Sequence, residues 1–327
     1  LRETRFRQLV YALGTPASLG PAALTINFFD GVHLGHQRLA ERASQLAHPH
    51  GLRSLAVTFW PQPLALLRPE VDDGLLTTLE RKLALLAALG TLDATLVVPF
   101  TPELATGEPE AVLEVLSQWC EPRTLVVGPE FALGRAQTGD LAYLRATGAR
   151  RGFTVESVEM EEEDGAPVRS ARIRRLIREG EVAQAARLLG RLHRLAGEVV
   201  LGDQRGRLLG FPTANLRTDP RLVLPANGVY AVRVRLPGEA DATHAGVANI
   251  GVRPTFSGEP QLRVEVYLLD VTVDLYGLRL DVELVARLRD EQRFDGVDAL
   301  KAQIGRDSVA ARALLAQRDE PTSEQGR

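Results

Sequence analysis

The sequence predicts an α/β domain on a parallel sheet, followed by a compact antiparallel β-barrel with a terminal helix. Two textures along the chain and its length carry that reading. The first half alternates short, β-branched, continuously apolar runs with helical stretches, as buried parallel strands joined by right-handed crossovers do. After Gly190 the runs succeed one another with only Gly- and Pro-rich turns between them, as in a small barrel. A chain of 327 residues has room for two domains of roughly 100–200 residues.

Taken in order, strands are expected at 22–26, 54–59, 94–98, 124–127 and 154–158, with helices at 36–47, 78–89, 110–120 and 139–150 between and after them. Two more helices, 170–179 and 182–189, end this half. Strands at 197–200, 229–235, 244–250, 261–269 and 279–288, then a helix over 297–317, make the second half. Its turns are Gly202-Asp203, Pro225-Ala226-Asn227-Gly228, Arg253-Pro254 and Gly258-Glu259-Pro260. The boundary falls near 186–193 and is taken as 1–188 and 189–327. The polar tail after Gln317 is expected to fray.

Composition narrows the classes of function. The net charge of −3 carries no basic excess, so nucleic acid is not an expected partner. A single cysteine, Cys120, excludes a disulfide framework and a cysteine zinc site and fits a reducing compartment. No apolar run approaches the ~18 residues that span a bilayer. The charged N-terminus lacks the apolar run of a signal peptide. The expectation is therefore a cytoplasmic protein with no membrane partner; self-association is left open. Lysine occurs only at Lys82 and Lys301, so 37 of the 39 basic residues are Arg. Most of that excess reads as compositional bias. Cys120, beside Trp119, reads as packing. Residues 159–164 read as a solvated acidic loop, and His48, His50, His193 and His244 show no ligand spacing.

The run Phe29-Asp30-Gly31-Val32-His33-Leu34-Gly35-His36 follows the first expected strand and opens the first helix. Ligands in open α/β sheets lie at the carboxyl ends of strands, and helix N-termini offer free N–H groups to anions. His33 and His36, with Gly31 and Gly35 admitting close backbone approach, suit charge stabilisation at the α-phosphate of ATP as pyrophosphate departs. The alternative is a pair of turn histidines with a capping role. Farther on, Gly206-Arg207-Leu208-Leu209-Gly210-Phe211-Pro212-Thr213-Ala214-Asn215 is glycine-rich but lacks the Gly-Lys-Ser/Thr of a Walker loop. Gly206 and Gly210 let amides wrap phosphates, and the Thr213 hydroxyl and Asn215 carbonyl are hard oxygen ligands suited to Mg²⁺. On spacing alone, Glu265 in Val264-Glu265-Val266-Tyr267 reads as a solvent-facing Glu on an alternating strand, Val264 and Val266 pointing inward.

These residues resemble the bacterial bifunctional riboflavin kinase/FAD synthetase family over nearly the whole chain. The likeness rests on the Asp30–His36 run, Thr58-Phe59-Trp60-Pro61-Gln62-Pro63, Leu76-Thr77-Thr78-Leu79-Glu80-Arg81-Lys82 and Val127-Gly128-Pro129-Glu130-Phe131-Ala132-Leu133-Gly134. In the second half it rests on the Gly206–Asn215 run, Pro225–Ala231, Asn249–Phe256, Val264–Tyr267 and Asp274–Gly277.

The resemblance implies a Rossmann-like nucleotidyltransferase domain and a six-stranded barrel. It implies phosphorylation of riboflavin to FMN and adenylylation of FMN to FAD, with ATP as co-substrate and Mg²⁺ as metal. In roles it implies Glu265, His33 and His36 as catalytic. Asp30, Gly31, Gly35, Ser170, Arg174, Gly206, Arg207, Gly210, Thr213 and Asn215 would bind nucleotide or phosphate. Phe59, Pro61, Phe131 and Tyr230 would meet the flavin. Several positions depart from the family pattern. Asn27 stands where Gly is usual, Arg169 and Ala171 replace hydroxyl residues flanking Ser170, and Glu130 and Leu133 replace Asp/Asn and Phe. Ser170 also suits a helix N-cap, and Arg174 a solvated face with Arg172, Arg175 and Arg178. Arg169 and Arg207 remain phosphate candidates. An impaired adenylyltransferase, a non-catalytic flavin-binding protein and a nucleotidylyltransferase for another acceptor stand as rivals.

Overall fold

The computed structural model describes residues 7–10, 19–62, 74–202, 206, 209–239, 242–253, 261–271 and 273–317. The chain forms two compact units, Leu1–Ala171 and Arg172–Arg327.

The first unit holds six parallel strands: β1 (Arg7–Val10), β2 (Pro21–Ile26), β3 (Arg53–Trp60), β4 (Ala94–Pro99), β5 (Glu121–Val127) and β6 (Thr154–Ser157). Their order is β1-β4-β3-β2-β5-β6. Five of these were expected; β1, four residues with two polar ones leading, has no apolar continuity to announce it. Period-two alternation sorts side chains to the two faces. Leu24, Ile26, Leu55, Val57 and Phe59 join Val112, Leu113, Leu116 and Trp119 of α4 (Pro109–Trp119) and Leu144 of α5 (Leu141–Arg151). On the opposite face Ala56 meets Ala40 of α1 (Leu34–Ala47) and Leu85 and Leu86 of α2 (Leu79–Ala88). A five-residue helix, α3 (Pro102–Thr106), and a two-residue ribbon, β7 (Glu162–Glu163) with β8 (Ala166–Pro167), complete the unit. The first of these two strands, β7, lies within the stretch 159–164 expected to be a solvated loop.

From β2 the chain builds outward through β3 to β4, then returns to place β5 and β6 on the other side of β2. The order therefore reverses between β2 and β5, which opens a crevice at their carboxyl ends. Cys120 is buried at the end of α4, and burial, helped by Glu121, pushes its thiol up to about 12. Such a thiol is unreactive at neutral pH, as the packing reading expects.

Helices α6 (Ser170–Arg178) and α7 (Val182–Leu189) lead into the second unit. There β9 (His193–Val200), β10 (Ala214–Thr218), β11 (Gly228–Arg235), β12 (His244–Arg253), β13 (Gln261–Leu268) and β14 (Arg279–Arg289) close an antiparallel barrel in the order β10-β13-β12-β11-β14-β9. Leu195, Leu216, Val232, Ile250, Val266 and Val282 fill its interior. The terminal helix α8 (Val297–Gln317) lays Ala311 on the outer face against Val229, Ala231 and Val247. Strand β10 begins at Ala214 and Asn215, the last two residues of the run read as a phosphate loop. Its alternation of buried Ala214 and Leu216 with Asn215 and Arg217 is too short to stand out beside the glycines.

Candidate active sites

The loop from β2 to α1 is tightly wound. Phe29, Gly31 and Val32 all have positive φ (51°, 81° and 41°). A β-branched residue in that region is strained, and burial holds it there: Phe29 and Val32 are almost wholly enclosed. The Asp30 carboxylate anchors the turn from the other side. It accepts from the backbone N–H of Leu76 (3.0 Å) and Thr77 (3.1 Å), while the Gly31 N–H donates to the Thr77 hydroxyl at 3.1 Å. Asp30 thus clamps two loops 46 residues apart. Ser170 joins the same clamp, its hydroxyl donating to the Asp30 carbonyl at 3.0 Å rather than capping its own helix.

This frame sets His33 and His36 face to face, ring centroids 3.6 Å apart and 18° from parallel, with Phe29 5.1 Å from the His36 ring. Both imidazoles line a cavity of about 240 Å³ at the crevice between β2 and β5. Gly35, Gly128, Val168 and Ser170 share its wall. The N-terminus of α1 opens there with no acidic residue in its first turn. A cavity that joins two imidazoles to a helix N-terminus suits a polyphosphate.

Three positions that depart from the family pattern, Asn27, Glu130 and Arg169, line this same cavity. Asn27 folds its carbonyl oxygen onto the Phe28 N–H at 2.7 Å, and its φ is not positive, so the backbone there does not require glycine. Arg169 donates to Glu130 at 2.7 Å. Arg174 lies on α6 and is 7% exposed, so it is not part of the solvated face to which Arg175 and Arg178 belong.

Beside the clamp lies Lys82, fully buried, its ammonium 5.5 Å from the Trp60 ring centroid. Burial lowers its pKa to about 8 against the opposing pull of Asp30. Phe59 closes the core at the end of β3, edge-on to Phe28 (5.7 Å) and Phe100 (6.0 Å). Pro61 follows it through a cis Trp60–Pro61 bond, and Phe131 packs half-buried on the core.

In the barrel, register brings the chemistry together. Asn215 of β10 pairs with Glu265 of β13, which pairs with Asn249 of β12. With Val264 and Val266 facing inward, all three project from the outer face. That face is not open solvent. Glu265, Asn249, Tyr267 and Thr213 line a cavity of about 310 Å³ completed by Ile304 and Asp307 of α8. Arg263 donates to Glu265 at 2.9 Å. Arg289 fixes the α8 side of the cavity by donating to both Asp307 carboxylate oxygens (2.8–3.1 Å).

A second cavity, about 400 Å³, is lined by Val199, Leu268, Val273, Leu275 and Tyr276. Among the described residues, Thr213 is common to both walls. Gly206 lines the first cavity, and Gly210 turns the loop at φ 86°. Arg207 lies outside the described residues. Tyr230 is buried in the barrel core, its hydroxyl donating to the Ala226 carbonyl at 2.6 Å, and lines neither cavity.

A Cβ on Gly202 would overlap the Asn215 amide, so glycine lets that side chain lie against the backbone. Gly202→Ala is expected to displace Asn215 and reduce turnover in the barrel by about fivefold, the worth of one hydrogen bond of about 1 kcal/mol. Steady-state rates of the barrel reaction check it; an unchanged rate would count against Asn215. Sequence reasoning named Asn249 and Tyr267 only as members of matching segments, with no role, and passed over the Arg289–Asp307 pair. Only cross-strand register and the return of α8 bring them to Glu265.

Fold and cavities together define a class: a two-domain protein with one cavity at the switch point of a parallel α/β sheet and others on the outside of an antiparallel barrel. Comparison with known proteins narrows it. The FAD synthetase family model matches residues 15–172 and the riboflavin kinase model residues 189–315. The bifunctional riboflavin kinase/FMN adenylyltransferase of Pseudomonas fluorescens is 41% identical over 89% of this chain and 92% of its own length. That of Escherichia coli K12 is 40% identical over the same shares. The solved structure of a macrolide-efflux protein from Streptococcus pneumoniae is 28% identical, with a TM-score of 0.80 over 93% of this chain and 98% of its own. The chain belongs to the bifunctional riboflavin kinase/FMN adenylyltransferase family. Among the described residues, no helix is long and apolar enough to cross a membrane.

Proposed function

We propose that the barrel phosphorylates riboflavin with ATP to give FMN and that the α/β unit transfers AMP from ATP to FMN, giving FAD and pyrophosphate. The observation that carries this reading is the row Asn215–Glu265–Asn249, next to Thr213, which lines both barrel cavities. A phosphoryl donor in one cavity and an acceptor in the other would meet at Thr213. The apolar cavity with Tyr276 suits the adenosine, and the cavity with Glu265 the flavin alcohol. Glu265 takes the proton of the ribityl hydroxyl as its oxygen bonds to the γ-phosphorus and the bond to the β-bridging oxygen breaks. Arg263 holds the carboxylate in place.

The donor set fits a magnesium ion brought in with the nucleotide: a hydroxyl from Thr213 and an amide oxygen from Asn215, cradled against Gly202. Bound there, the metal would neutralise charge on the β- and γ-phosphates.

In the α/β unit the nucleophile is the FMN phosphate. Its oxygen bonds to the α-phosphorus as the bond to pyrophosphate breaks, with no covalent enzyme intermediate. His33, His36 and the α1 amides stabilise the charge that grows there. Gly31 and Asp30 act through the loop geometry, and Gly35 and Ser170 form the cavity wall. Phe59, Pro61 and Phe131, with the half-exposed Phe28, form the flavin side. The division of labour falls at 188/189, supported by the start of the riboflavin kinase match at 189. A cytoplasmic setting is supported by the single buried cysteine.

A time course with riboflavin, ATP and Mg²⁺ that resolves FMN from FAD tests both halves. FMN should rise first and then convert to FAD. No FMN would overturn the kinase assignment; FMN without FAD would overturn the adenylyltransferase. Asn27→Gly should change FAD formation by no more than about twofold, equivalent to roughly 0.5 kcal/mol, because the position needs no left-handed backbone.

A further inference from the structure

Two departures from the family pattern, 39 residues apart in sequence, touch each other at the mouth of the switch-point cavity: Arg169 donates to Glu130 at 2.7 Å, and both line the cavity wall. Neither is buried, with side chains 48% and 64% exposed. We propose that this pair is a nucleotide-exchange contact: Arg169 is a positioning residue for ATP, stored on Glu130 and handed to the polyphosphate when ATP binds. This rests on the reading of the cavity as the adenylyltransferase site.

The physical argument has three parts. An exposed ion pair of this kind contributes little to stability, so releasing it costs little. A polyphosphate carries more charge than a carboxylate and matches the planar guanidinium fork, so the exchange runs downhill. Glu159 and Glu161 also line the cavity, so Glu130 unaccompanied would add a third carboxylate to the wall of an anion site, and Arg169 neutralises it. The two departures therefore compensate. Glu130 is tolerable because Arg169 is present, and its hold on the guanidinium is what ATP must displace.

The test is a double-mutant cycle on FAD formation from FMN, reading KM for ATP and kcat separately, with FMN formation by the barrel as the measure of folded enzyme. Arg169→Ser is expected to raise KM for ATP about tenfold with kcat nearly unchanged, a charge-assisted contact being worth roughly 1.5 kcal/mol. Glu130→Gln alone should lower KM for ATP, since the guanidinium is freed. Adding Glu130→Gln to Arg169→Ser should recover much of the loss, because the unpaired carboxylate is gone. If Arg169→Ser leaves KM for ATP within twofold, or the second substitution gives no recovery, the exchange contact is overturned while the adenylyltransferase reading stands. If the unmodified protein makes FMN but no FAD, the reading itself fails and takes this proposal with it.

Discussion

Glu265→Gln is expected to lower FMN formation by about 10²–10⁴-fold while conversion of added FMN to FAD continues. Glutamine keeps the size of the side chain, and its carbonyl still accepts from Arg263, so the wall of the cavity and the β10–β13–β12 row are preserved. What it cannot do is take the proton of the attacking hydroxyl. The loss should fall on kcat, with KM for riboflavin and ATP changed little, because the residue acts on the transition state rather than on binding. Steady-state kinetics with products resolved by chromatography checks it. Retention of more than about a tenth of the kinase rate would remove Glu265 as the base and return it to a role in lining the cavity.

Lys82→Met is expected to stabilise the protein at pH 7 by up to about 3 kcal/mol and to abolish a rise in stability at alkaline pH. The ammonium is wholly buried, its pKa lowered from 10.5 to about 8 by desolvation against a smaller opposing effect of Asp30. At pH 7 the lysine is protonated folded and unfolded, so the cost of burying the charge is fully present. Between about 8 and 10.5 the folded protein has released that proton and the unfolded chain has not. The unfolded state then binds more protons, and stability must rise with pH across this window. Methionine has similar length and no charge, so the variant should start higher and stay flat. Urea unfolding of both proteins at pH 7 and pH 10 checks it; equal slopes would refute the desolvation account. An arginine at this position, in a chain that otherwise favours arginine, would carry a charge it could not shed.

Much of the fold was legible because its signals are local. Continuous apolar strands alternating with helices gave the parallel sheet, and strand after strand with Gly/Pro turns gave the barrel. The misses have physical reasons. Strand β1 is short and half polar, and is defined by its pairing with β4 rather than by its own residues. Strand β10 is short and starts at the end of a run whose glycines and Pro-Thr-Ala-Asn read as loop.

The site residues divide in the same way. His33, His36 and Thr213 were visible through spacing and residue type, and each lines a cavity. The position of Asp30 in a motif announced it, but its carboxylate serves the backbone of Leu76 and Thr77, a contact no spacing could reveal. Tyr230 sits in a matching segment and lies in the barrel core.

The sequence by itself determined the two domain types, the family and the chemical groups available, because these depend on local periodicity and on motifs a few residues long. Only the tertiary structure decided which groups face one another: Asn249 beside Glu265, α8 over the barrel face, Glu130 against Arg169. Those contacts join residues tens of positions apart. They are set by strand register and by how helices return to the sheet and the barrel, which are consequences of packing the whole chain and not of any segment within it.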